Sequence, residues 1–91
     1  MKTATPKLVD PTPVKGDFLR SELRTGFTLT GIARDSRDRA RAERNRANAR
    51  KAYDAVLRFA PKVGLSPDET AEIKSKLAQL RSELQRLGEE I

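Results

Sequence analysis

From Ile73 onward the apolar residues fall at spacings of four, three, four, three and four: Ile73, Leu77, Leu80, Leu84, Leu87 and Ile91. This is an unbroken heptad seam, and an α-helix is the conformation that brings those side chains into one line. Its start is marked too. In "SPDE", Ser66 stands as N-cap and Pro67 takes the first helical position, where its missing N–H costs nothing. Glu69 sits at the third, completing a capping box. Glu72 and Lys76 add an i,i+4 pair. A helix over about 67–88 is expected, with Gly88 fraying its end.

The seam needs a cover, and the preceding segment offers one. Ala49, Ala52, Tyr53, Val56, Phe59, Ala60 and Val63 recur at spacings of three and four, a single apolar stripe centred near Val56. Pro61 and Gly64 end it. Two helices joined by a few residues pack antiparallel. The expected fold is all-α, an antiparallel helical hairpin of about 36–62 and 67–88. Its core is Tyr53, Val56, Phe59, Ile73, Leu77, Leu80, Leu84 and Leu87. Carried backward, the stripe meets Ala42, Asn45 and Asp38 and dies out. The Arg-rich half of this helix therefore reads as an overhang that the hairpin leaves uncovered. A break or kink is expected at "DSRD", residues 35–38.

Ahead of the hairpin, "FLRSELR" reads as a short helix with Asp17 as its cap and Gly26 as its stop. "FTLTGIAR" offers Phe27, Leu29, Ile32 and Ala33 for one face of a further helix, weakened by Gly31 and the threonines. One or two short N-terminal helices are expected. Residues 1–16, with Pro6, Pro11 and Pro13 and little apolar content, read as a disordered arm. That leaves 17–91 as one small helical domain.

"RNRANARKAYDAVLRFAPKVGLS", followed by "EIKSKLAQLRSELQRLG", resembles a group of small bacterial proteins of unknown function that carry a NARKAYD-type motif. The resemblance covers about residues 44–88, and Ala60 stands where a larger apolar residue is usual. It implies a helical hairpin and no activity. Ala49, Tyr53 and Pro61 are also spaced similarly to the second helix of a tetratricopeptide repeat. The aromatic, Leu-Gly and Tyr positions of a matching first helix are missing from 33–44.

Function classes are narrowed by what the chain lacks. It has no Cys and no His, which removes the thiolate, the commonest general base and the commonest metal ligand. No catalytic, cofactor-binding or metal-ligating residue is assigned, and no enzyme is expected. Tyr53 belongs to the apolar stripe. Glu69 with Glu72, and Glu89 with Glu90, are accounted for by a helix start and by solvation. No apolar run reaches the length of a membrane span and no secretory signal opens the chain, so a cytoplasmic protein of bacterial type is expected.

What remains is charge. The net charge is +6. Residues 34–51 hold eight Lys/Arg and three Asp/Glu, so +5 belongs to this one segment. Arg34, Arg37, Arg41 and Arg44 are expected to form one row, extended by Lys51, with Arg39, Arg46 and Arg50 on the far side. Such a row suits phosphate contact. Pairing of the arginines with Asp35, Asp38, Glu43 and Asp54 on a solvated helix is the plainer account. The lack of an aromatic residue between 28 and 52 counts against single-strand recognition.

Two readings follow. The first is a non-catalytic interaction or adaptor protein with an unidentified protein partner, the hairpin being its scaffold and the Arg-rich helix its contact surface, with Leu29, Ile32 and Asn45 as possible further contacts. The alternative is a nucleic-acid-binding accessory protein. A homodimer through the Leu seam is also open: Lys74, Lys76 and Arg81 precede Glu83 and Glu90, an order that suits antiparallel pairing.

Overall fold

The computed structural model describes residues 16–91, so the expectation of a disordered arm falls almost wholly outside the described residues. Three helices make up the fold: α1 (Asp17–Asp35), α2 (Arg39–Phe59), continued by one 3-10 turn (Ala60–Lys62), and α3 (Pro67–Arg86). The described residues contain no strand. The fold is all-α, as the periodicity requires.

The expected signals at the start of α3 are all present. Ser66 Oγ accepts from the Glu69 N–H at 3.1 Å, and Glu69 Oε1 accepts from the Ser66 N–H at 3.0 Å. The break near Asp35 is real: Asp38 caps α2, its Oδ1 accepting from the Arg41 N–H at 3.2 Å. Pro61 turns the end of α2 into the 3-10 turn, and Gly64 is not in the left-handed region.

The N-terminal segment differs from expectation. α1 is one helix of 19 residues that runs straight through Gly26, with Gly16 and not Asp17 at its N-cap. Its buried residues are Leu19, Leu23, Gly26, Thr30 and Ala33, spaced four, three, four and three. This is a second heptad seam, written largely in small residues. Thr30 satisfies its buried hydroxyl by donating to the Phe27 carbonyl at 3.0 Å.

α1 packs on both other helices. Its first turn lies against the first turn of α3, where Arg20 meets Glu69 and Glu72, and its last turn brings Arg34 to Glu83. α1 and α3 therefore run parallel, and α2 returns between their ends: Phe18 meets Phe59, and Leu87 at the end of α3 meets Arg46. The core joins Leu19, Leu23, Ala49, Tyr53, Val56, Ile73, Leu80 and Leu84. Leu77 and Leu87 of the expected core are only half-buried. Phe59 is 36% exposed, because at its level α1 offers only Phe18, whose ring meets it edge-on at 5.8 Å.

The closest approach is at Gly26. A Cβ built there lies 2.6 Å from Cδ2 of Leu80, a side chain with no exposed surface into which to swing. Alanine gains about 1 kcal/mol over glycine in helix propensity, but overpacking a filled core costs about 1–3 kcal/mol. Gly26→Ala is therefore expected to lower the stability measured by urea unfolding. Gly31→Ala, on the same helix, meets only Arg34 Nη2 at 3.8 Å, so it is expected to raise stability by about 0.5–1 kcal/mol. A gain for Gly26→Ala would show that α1 does not sit on Leu80.

Candidate functional site

α2 advances about 100° per residue, so its outer positions follow from its inner ones. Ala49, Ala52, Tyr53 and Val56 are buried. Facing away from them lie Ala40, Ala47, Lys51, Asp54 and Arg58, with Arg44 on one side and Glu43 on the other; Arg41 and Asn48 lie nearer the buried stripe, beside Ala52. Arg37 is exposed in the turn before α2 and Lys62 in the 3-10 turn after it. None of Arg37, Arg39, Arg41, Arg44, Lys51 or Arg58 makes an ion pair with a described residue. Arg58 and Lys62 instead stand 5.8 and 5.5 Å from the centre of the Phe59 ring.

The other arginines are engaged. Arg34 was expected to head the cationic row, but it ends α1, on the far side of the break. Its Nε pairs with Asp35 at 3.1 Å, and Nη1 lies 3.9 Å from Glu83. Hydrogen bonding to Asp35 raises its pKa above the ordinary arginine value. Arg50 donates to Asp54 at 3.1 Å and to Glu89 at 2.8 Å, and those two contacts, Asp54 first, raise its pKa. Arg46 Nη1 donates to the Leu87 carbonyl at 3.1 Å; its buried Nε lies 3.0 Å from Glu89 Oε2 but off the line of a hydrogen bond.

The sequence hid this clamp. Gly88, expected to fray α3, holds a φ of 104° and closes it. The Gly88 N–H reaches the Gln85 carbonyl at 3.0 Å, and the Glu89 N–H reaches that of Leu84 at 2.9 Å. That is a Schellman cap, and it turns Glu89 back onto α2. The sign was a glycine placed one residue past the seam and followed by an acid. The far side of α2 is thus neutralised by α3, while the near side is left to solvent. Nor is the Arg-rich half an overhang: α1 covers its inner face, with Ala33, Ala42, Arg46 and Leu87 lining one shallow depression.

The expected protein-contact residues lie on two helices, Leu29 and Ile32 on α1 and Asn45 on α2. Leu29 is half-buried against the core and Ile32 is half-buried. Asn45, half-buried, donates its amide to the Arg41 carbonyl at 2.9 Å, within its own helix. The exposed apolar surface lies at the other end of the fold. There Leu57, 49% exposed, opens a hollow of about 470 Å³ with Val63, Leu65, Ile73 and Leu77.

Among the described residues no group of three or more acidic, His or Cys side chains is placed to hold a metal ion, and no helix is long and apolar enough to cross a membrane. The acidic pair of Glu69 and Glu72 serves Arg20. The guanidinium forks onto Glu72, Nε to Oε2 at 3.0 Å and Nη2 to Oε1 at 3.1 Å, and its Nη2 also reaches Glu69 at 3.4 Å. This fork, Glu72 above all, lifts the arginine pKa well above its ordinary value. The Glu69 carboxyl is held low chiefly by the Ser66 N–H, and that of Glu72 by Arg20.

Carboxyls held low in the folded state stabilise it above their unfolded pKa, about 4.3, and that contribution is lost as pH falls through the lower folded value. The melting temperature is expected to stay level from pH 7 to about 5 and to fall below about 4.5. Arg20→Met should flatten this acid limb. An unchanged limb in thermal melts of the variant would place the acid sensitivity elsewhere.

Comparison with protein-family models, with curated proteins and with solved structures finds no match, so the two resemblances rest on the quoted residues alone.

Proposed function

We propose that this chain is a non-catalytic interaction module that holds a polyanion, nucleic acid, on the outward face of α2. One observation carries the reading. Between Arg37 and Arg58, six exposed cations have no ion-pair partner among the described residues, whereas Glu43 is the only carboxylate there that is neither paired nor capping a helix. On a surface serving only solvation, interleaved and paired charges are the norm. Here the pairing is confined to one side of the helix.

The nucleic-acid reading is favoured over the protein adaptor for a further reason. The apolar contacts of the adaptor reading, Leu29 and Ile32, are half-buried, and Asn45 bonds within its own helix, so that reading too is left mainly with the cations. The cations are spread over a helix about 30 Å long. Duplex DNA carries about one charge per 1.7 Å of its axis, and each phosphate contact releases a counterion.

Binding of the purified protein to labelled nucleic acid, titrated across salt concentrations, tests this. With four to six phosphate contacts, log K is expected to fall against log salt with a slope between about −4 and −5. The Arg37→Ala, Arg41→Ala, Arg44→Ala triple variant should reduce that slope by about 3 units. A Lys74→Ala, Lys76→Ala, Arg81→Ala variant on α3 should leave it nearly unchanged. Equal losses in both triple variants would reduce the binding to net charge alone and remove α2 from the proposal.

A further inference from the structure

The apolar hollow at the hairpin end of the fold opens between α2 and α3. Ile73 and Leu77 form its floor, Leu57 stands at the α2 wall and Lys74 at the α3 wall. Leu57 projects from α2 about 160° away from Phe59, whose ring meets α1, so α1 does not cover this side. The two walls carry opposite charges. Asp54 lies three residues before Leu57, and Arg81 four residues after Leu77. Because α2 and α3 run antiparallel, both are displaced about one turn in the same direction and stand at one level on facing walls. Asp54 keeps 52% of its side-chain surface exposed although Arg50 donates to it. Arg81 and Lys74 make no ion pair with a described residue.

We infer that this hollow and its two walls are the contact surface of a homodimer. The occupant is a second copy of the chain because the surface complements itself. A two-fold axis parallel to the helices brings α2 of each copy over α3 of the other, and every contact then occurs twice. Leu57 of each copy enters the other's hollow, over Ile73 and Leu77. Asp54 of each meets Arg81 of the other, because the two stand at one level. Lys74 falls at the C-terminal end of the other copy's α2, where the helix carbonyls favour a cation. A partner of a single charge sign would match one wall and be repelled by the other. The Leu seam is not the dimer surface: Ile73, Leu80 and Leu84 are buried within the chain. One apolar anchor per copy makes a weak pair, with a dissociation constant above about 1 μM. The pairing does not rest on the polyanion reading. Arg44 and Lys51 lie on the other side of the outward line of α2 and stay open in the dimer.

Sedimentation equilibrium of the full chain, from about 1 μM to about 1 mM, tests this. The mass of the wild type is expected to rise with concentration from that of one chain to that of two. Leu57→Asp, at a half-exposed position, should weaken the pairing at least about 10-fold. Phe18→Asp, at the other strongly exposed apolar residue, should leave it unchanged. Asp54→Arg and Arg81→Asp each set like charges against one another and should weaken it, whereas the double variant, with the charges exchanged, should restore it. Circular dichroism of every variant confirms that the helices are intact. A wild type that stays monomeric throughout overturns the dimer and leaves the hollow to residues 1–15 or to a different protein. Equal losses in Leu57→Asp and Phe18→Asp would reduce the association to apolar stickiness, and a double variant no better than the single ones would overturn the two-fold arrangement.

Discussion

Leu80 lies where a side chain on residue 26 would be, and the rest of the arrangement follows from that contact. The side chain is fully buried and comes from the centre of the α3 seam. Because residue 26 is glycine, α3 packs against the middle of α1 and does not close on α2 alone. α1 then runs along α2 on one side and contacts α3 on the other, and the inner face of α2 is buried from Ala49 to Val56 and half-buried at Ala42, Asn45 and Arg46. The outward face is left with no role in packing. Its composition is free to answer to something outside the bundle, and it is there that the unpaired cations collect.

Ion pairs take little part in holding the bundle, yet they decide which charges are free. Exposed pairs contribute about 0–1 kcal/mol each, against about 2–5 kcal/mol lost when a buried leucine is cut back to alanine. Leu19, Leu80 and Leu84, all fully buried, therefore outweigh the nine ion pairs described. The pairs do something else. Arg20 fixes the first turn of α1 to that of α3, and Glu89 occupies Arg46 and Arg50. The eight basic residues that the sequence divides into two rows are divided differently by the structure. Arg34, Arg46 and Arg50 are tied to carboxylates, while Arg37, Arg39, Arg41, Arg44 and Lys51 face water.

The difference between what could be read beforehand and what could not lies in the size of the residues carrying each period. The α3 seam is written in Leu and Ile, and the capping box at Ser66 is a local hydrogen-bond pattern, so both were legible. The break at Asp35–Asp38 was legible for the same reason, since short polar side chains cap backbones nearby. α1 was read as two pieces because its period passes through Gly26, Thr30 and Ala33. These score as a helix breaker, a poor helix former and a weak apolar residue, and only contact with Leu80 and the Thr30 back-bond make them a buried face. Taking α3 as the partner of α2 then left the Arg-rich half apparently uncovered, and the correct cover, α1, had already been cut short. Glu89 was missed because its reach depends on the positive φ of Gly88, a tertiary consequence of how α3 ends.

A line of unpaired cations on one helix would be costly if its charges lay close together. Arg44, Lys51 and Arg58 are each seven residues apart, about 10 Å along the axis. That is near the Debye length at physiological ionic strength, about 8 Å, so dissolved ions screen most of their mutual repulsion and the helix needs no interleaved carboxylates. The tight spacings, such as Arg41 to Arg44, are few, and Asn48 and Ala55 fall between the cations further along. The same separation suits a partner of high linear charge. Each cation keeps its own counterion atmosphere in the free protein and, in the proposed complex, would meet a phosphate of its own. The face is stable in water because its charges are spread out, and for the same reason the proposed contacts with a polyanion would add nearly independently.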